Sequence, residues 1–390
     1  MSDPRSDGGM RFTEVELGGG GRRRPTAESA VFVGGTLAIL AAYTYHWWIS
    51  GGPNAYVPLA FDWRPTRIDW LTLFAAVVSL AAVVVPVVRS PSVVVAYWRA
   101  YPSDATSRWA LAVVGTVVVV GIVGPAVTNP PLTDLQGTYQ PPLGFGVATE
   151  FVSDCVGRVA DGVCHGSLVH PLGTLGGGED MVAWLAYGAR TVVAFVALST
   201  AIMVPVGVGV GVTAAVVGGS VDRILMGYVD VQTTIPTILI YFVVTFFDGV
   251  SLFGLVVAYG LFNWGSLARV VRTAARSELE ADYVEAAAAA GASRFHLVRH
   301  HVLPNVASTV LVAVTLQIPK LILIEIGLAF LGFGGEDVYS WGQILQRGLL
   351  SGGYQLGVAW WIVVMPSLAT ALFVGAASVV GDGLRTALDA

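Results

Sequence analysis

Three charged side chains fall inside long apolar stretches of this chain: Asp230, Lys320 and Glu325. A charge in hydrocarbon is costly, so such residues mark substrate paths, proton relays or polar contacts between helices. Lys320 and Glu325 stand five apart on one stretch, poorly spaced to pair with each other. Lys320 is also the only lysine, and it follows Pro319. The phosphate-cradling GxxxxGK[ST] loop is therefore absent, and the chain hydrolyses no ATP by that route. His296 and His300 have the i, i+4 spacing of a zinc helix, but Leu297 stands where the HExxH motif needs glutamate. No GxSxG nucleophile turn occurs either. Cys164, His165 and His170 lie near one another in a polar stretch, where a structural reading is preferred to a metal site. No metal is assigned. Cys155 and Cys164 form no CxxC pair. They are either bonded to each other or two free thiols. These residues do not assemble into a catalyst, and the chain reads as a non-enzyme.

The surrounding sequence says what kind of molecule positions them. Hydrophobic residues make up 55% of the 390 and charged residues only 12%, against about 25% charged in soluble domains. The apolar residues collect in runs near the 20 or so needed to cross a bilayer. Eight spans are expected, at about 30–50, 70–88, 109–128, 190–217, 224–247, 250–270, 306–330 and 357–380. The fold class is thus all-α and multi-spanning. None of the runs has the form of a cleaved signal peptide. Arginines decide the orientation. Arg22 to Arg24, Arg89, Arg99, Arg108, Arg269, Arg272, Arg276, Arg294, Arg299 and Arg385 fall on one side of an eight-span plan. Arg64, Arg67, Arg158 and Arg347 fall on the other. Both termini are therefore expected in the cytoplasm. Cys155 and Cys164 then lie outside, where a disulfide is permissible. The net charge of −5 gives no sign of nucleic-acid binding.

Residues 1–29, with a GGGG run at 18–21, read as a disordered tail. Residues 129–185 are rich in Pro, Gly and Asp and read as an outside segment of loop and short elements. The segment 271–304 is different. Ser277 and Glu280 have capping-box spacing, and Glu285 to Ala290 is an acid followed by alanines, a strong helix former. Gly291 is placed to end that helix through a left-handed residue. A second short helix is expected over Ser293–His301, and Pro304 suits the first turn of the next span. Such a hairpin on the cytoplasmic side calls for something to dock against it.

The stretch EAAAAAGASRFHLVRHHVLPN, Glu285 to Asn305, resembles the signature loop of ABC importer permeases, EAA-x3-G-x9-I-x-L-P. Glu285, Ala286, Ala287, Gly291, Leu303 and Pro304 match its spacing, and His301 stands at the isoleucine position. Four further segments occur in the order of the oligopeptide/dipeptide (peptide/nickel) branch. They are HPLGT at His170–Thr174, VDRILMGYVDV at Val221–Val231, FLGFG at Phe330–Gly334 followed by Trp341–Gly342, and GDGLRTALDA at Gly381–Ala390. Asp230 and Glu325 also fit acidic positions of that branch, whereas Lys320 has no counterpart there. Two departures stand out: LGGGED at Leu175–Asp180 puts Glu179 where the branch has arginine, and Ala390 replaces a final proline.

The resemblance implies a six-helix permease core over about 109–390, preceded by two extra spans over 30–108. It implies ATP-driven inward passage of a di- or oligopeptide or similar small polar solute. The partners implied are ABC ATPase subunits carrying ATP and Mg²⁺, a second related permease and an outside binding protein. The chain itself is expected to bind no cofactor and to sit, multi-pass, in the cell membrane. The chief alternative is an ion-gradient-driven secondary transporter. That reading would use Asp230 and Glu325 at mid-membrane, but the repeat expected of such a fold is missing.

Overall fold

The structure is a computed structural model that describes residues 27–48, 57–58, 62–63, 66–89, 91–335, 338–350 and 357–389. The expected tail at 1–29 lies outside these residues up to position 26, and residues 27–29 already belong to the first helix. The described residues form an all-α multi-spanning protein. Seven helices are long and apolar enough to cross a membrane, or eight if one sharply bent pair counts as a span.

The helices are α1 (Ala27–Trp48), α2 (Arg67–Arg89), α3 (Pro91–Ala100), α4 (Ala105–Val127), α5 (Met181–Val217), α6 (Gly219–Thr234), α7 (Thr237–Asp248), α8 (Leu252–Phe262), α9 (Gly265–Leu279), α10 (Asp282–Ala289), α11 (Arg294–Phe333), α12 (Trp341–Leu350) and α13 (Trp361–Asp389). The two added spans, α1 and α2, pack on each other, and α2 also leans on α5. Helix α5 is the spine, lying against α4, α8 and α9.

Several expected boundaries move, each for a local reason. The fourth span begins at Met181 rather than near Arg190, because the Asp180 carboxylate accepts from the Ala183 amide at 3.1 Å and caps the helix there. At 37 residues, α5 is roughly 55 Å long and overshoots the membrane. The expected fifth span is broken into α6 and α7, which meet at 77°. Pro236 donates no amide hydrogen, and Ile235 before it takes an extended conformation, φ −83° and ψ 118°. The sixth span breaks at Asn263–Trp264 and then runs on through α9 to Leu279.

Of the segment 129–185 that is expected outside, residues 129–180 fold as a cap, and the rest belongs to α5. The cap's three-stranded antiparallel sheet has the order β1–β3–β2, with β1 Gly146–Ala148, β2 Val159–Ala160 and β3 Val163–His165. Cys155 and Cys164 are joined by a disulfide, with Cα atoms 5.8 Å apart. Cys164 lies in a buried cluster with Val147, Trp184, Trp341 and Trp361 that seats the cap on α5, α12 and α13. Thr174 of the HPLGT stretch is fully buried, and its carbonyl accepts from the Trp361 indole at 3.0 Å. The LGGGE turn that follows brings buried Glu179 to Arg347 at 3.0 Å. His170 meets Asp180 at 2.7 Å, which gives it and its neighbours a structural place. Among the described residues no group of three His, Cys, Asp or Glu side chains is arranged to hold a metal.

Candidate coupling surface

At the other end of α5, three arginines of α9 hold α6 in place. Arg272 and Arg276 both reach the Asp222 carboxylate, the latter at 2.7 Å, and Arg272 also makes a second, forked bond at 2.7 Å. One turn earlier Arg269 bonds Asp230 at 2.7 Å and Thr233 at 2.8 Å. Asp230 is therefore an exposed, paired carboxylate on a helix surface, not an isolated charge facing lipid. Beneath these pairs Leu267, Val271 and Ala275 of α9 close on Val212 of α5 and on Val302 and Val306 of α11.

Helix α9 ends at Leu279 with Glu280 as its C-cap. Ser277 lies inside α9, so the expected capping box at Ser277 and Glu280 does not form; the arginine pairs carry the helix past it. The chain breaks at Ala281, extended at φ −73° and ψ 137°, and restarts as the eight-residue α10. Only Val284 of α10 is buried; Asp282, Glu285, Ala286, Ala288 and Ala289 are exposed, and Ala287 is half-buried.

Gly291 stops α10 at φ +88°. The Gly291 amide donates to the Ala288 carbonyl at 2.9 Å, and the Ala292 amide to that of Ala287 at 3.1 Å. That is the Schellman pattern, which needs a left-handed residue where Gly291 stands. Ser293 then caps α11 by accepting from the His296 amide at 3.3 Å. The helix expected over Ser293–His301 forms but does not stop there, because the chain runs from Arg294 into the next span without a break. Pro304 lies within that helix, and a π turn over Val298–Val302 precedes it. The wider turn sends the Leu303 amide to the Val298 carbonyl, reshaping the ladder where Pro304 has no hydrogen to give.

One polar knot ties the hairpin's two roots together. The Tyr283 hydroxyl donates to Glu278 at 2.5 Å, and Asn305 donates to both, at 3.1 Å to Glu278 and 2.7 Å to Tyr283. The hydrogen bond to Glu278 raises the Tyr283 pKa above its ordinary value. Asn305 closes the signature stretch, but no sequence pattern singles out Glu278 and Tyr283; their i, i+5 spacing crosses a helix break that periodicity does not show. His301 packs its ring 5.7 Å from Tyr283, and His296 stacks on His300 at 4.2 Å. Leu303 and Pro304 are exposed on α11. The result is a short, mostly exposed alanine helix held at both ends, with Glu285 and the exposed Phe295 at its rim.

Of the remaining candidates, Glu325 is buried on α11, and its Oε2 has no partner among the described residues. Ser340 and Tyr241 line the same small space. Lys320 is exposed on the same helix, on a different cavity.

Residues 207–390 match the family described as binding-protein-dependent transport system inner membrane component. A putative peptide transport system permease protein of Brucella abortus is 30% identical over 77% of this chain and 92% of its own length. The chain belongs to the peptide-type permeases of ABC importers. The oligopeptide transport system permease protein OppC of Haemophilus influenzae is 32% identical over 56% of this permease and 70% of that protein. The dipeptide transport system permease protein DppC of Bacillus subtilis is 33% identical over 56% and 68%. A solved structure of the MetNI methionine ABC transporter in inward-facing conformations aligns at a TM-score of 0.43 and 21% identity, over 53% of this permease and 96% of that chain.

Proposed function

We propose that this permease is one membrane half of an importer that moves di- or oligopeptides inward, driven by ATP hydrolysis on partner subunits. The carrying observation is α10. It is a short helix exposed on most of its surface, closed by the Gly291 turn and anchored by Glu278, Tyr283 and Asn305 to the roots of two long helices. A rigid element of this kind passes a push from a docked ATPase to α9 and α11 without stretching. Glu285 supplies a charge-assisted contact to that ATPase. Two ATPase subunits, a second related permease and an outside binding protein complete the assembly, and ATP with Mg²⁺ resides on the ATPases. The curated relatives named for oligopeptide and dipeptide transport support peptide as the substrate class.

The test is reconstitution of this chain with the permease, ATPase and binding protein encoded beside it. Peptide uptake into proteoliposomes that requires ATP on the ATPase side supports the reading. Uptake driven by an ion gradient without ATP would favour a secondary transporter instead.

A further inference from the structure

Lys320 has no ion-pair partner among the described residues, although it is an exposed cation on a membrane-spanning helix. Its place along α11 is internal: thirteen residues, roughly 20 Å of helix, separate it from Phe333, and about twice that from Arg294. An unpaired ammonium at that depth is not stable against lipid tails and belongs against water or a polar ligand.

The surroundings answer that need. Lys320 lines a half-open cavity of about 490 Å³ between α9, α11 and α13. The size is that of a small-molecule site. Ser266, Ser308, Thr309 and Gln317 add hydrogen-bonding groups, and Arg385 also lines it. The cavity thus holds the Lys320 ammonium, four neutral polar side chains and apolar walls from residues such as Leu267 and Val312. That combination suits a solute with one anionic end, hydrogen-bonding groups along its length and apolar side chains. Two of its three walls, α9 and α11, root the coupling hairpin, so a ligand there would sense hairpin movement.

The geometry points to this cavity as a station on the transport path at which Lys320 holds the terminal carboxylate of the transported peptide. The inference rests on the peptide-importer reading and names the chemical group recognised within it. Lys320 acts as a specificity residue that strengthens the hold on acids over amides.

The experiment uses the full complex in proteoliposomes. Uptake of a peptide with a free C-terminal carboxylate and of its C-terminal amide is measured at saturating loaded binding protein, for wild type, Lys320→Met and Lys320→Arg. Methionine cannot donate a charge-assisted hydrogen bond, so Lys320→Met lowers carboxylate uptake roughly tenfold or more. Amide uptake should stay within about twofold of wild type, and Lys320→Arg should retain most of the preference. An unchanged carboxylate rate, or an equal fall for both substrates, would overturn the proposal. So would failure of Lys320→Met to assemble with the second permease, because that marks Lys320 as an intersubunit ion pair. Loss of lipid on mass analysis of Lys320→Met, with the substrate preference intact, reassigns the cavity to a lipid headgroup and also overturns it. A wild-type complex that moves neither peptide defeats the peptide-importer reading itself, a different result from any of these.

Discussion

Among single residues, Gly291 carries the clearest demand. An added Cβ would meet open space there, so no contact forbids a larger side chain. Its φ of +88° does. A β-branched residue in that region is disfavoured by about 1–2 kcal/mol. The Schellman bonds to Ala287 and Ala288 would be surrendered with it, and α10 would re-aim. The core clusters lie elsewhere, so insertion into the membrane is untouched. Gly291→Val is expected to leave expression near normal and abolish transport, with ATP hydrolysis no longer stimulated by loaded binding protein. Glu285→Ala removes one exposed carboxylate and leaves the lever intact, so its loss should be partial. Reconstituted transport and ATPase activity of both variants beside wild type measure this. Full coupled transport by Gly291→Val would show that α10 is not the lever.

Helix α6 offers a comparison at the scale of an element, because it meets α9 through two aspartate–arginine contacts of different quality. The Asp222 side chain is 14% exposed and shared by two arginines, whereas that of Asp230 is 69% exposed and bonded to one. Exposed pairs contribute about 0–1 kcal/mol, while a mostly buried, forked carboxylate removed from two cations is expected to cost roughly 2–3 kcal/mol. Asp222→Asn should therefore lower the thermal midpoint of the detergent-purified permease by several degrees, and Asp230→Asn by about a degree or none. Equal shifts would refute the ranking. The contrast also shows where sequence reading reached and where it stopped. Long apolar runs gave the spans, since 20 or so apolar residues in a row have few other uses, and the Gly291 stop was legible because glycine serves a specific backbone geometry. Helix ends were harder. Ser277 has capping-box spacing, yet it lies within a helix that Arg272 and Arg276 extend through Asp222, a partner about 50 residues earlier in the chain. The break at Pro236 was marked by the proline, but an apolar run masks a bend. The cavity beside Lys320 needs three helices far apart in sequence, so no local pattern announces it.

Over the whole molecule, α5 acts as a ruler. Asp180 caps one end and pairs with His170 of the disulfide-bearing cap. Near the other end the Val216 carbonyl accepts from Arg294 at the base of the coupling hairpin, at 3.4 Å. About 55 Å of unbroken helix lies between them, against roughly 30 Å for a hydrocarbon core. The cap and the hairpin must then face opposite sides of the membrane. We propose from charge which side is which: Arg269, Arg272, Arg276, Arg294 and Arg299 cluster around the hairpin, and arginine-rich connections stay in the cytoplasm. The Cys155–Cys164 disulfide on the opposite face suits an oxidising exterior. In intact cells a cysteine placed at exposed Gln136, in the cap, should react with a membrane-impermeant thiol reagent. A cysteine placed at exposed Ala288, on α10, should stay protected until the membrane is permeabilised. Because α10 is proposed to dock an ATPase, the labelling is done without the ATPase subunits, so that a bound partner cannot mimic the membrane. Labelling of Ala288→Cys from outside with protection of Gln136→Cys would invert the molecule. It would also remove the coupling role of α10, since ATP is a cytoplasmic fuel and its hydrolysing partners must meet the hairpin there.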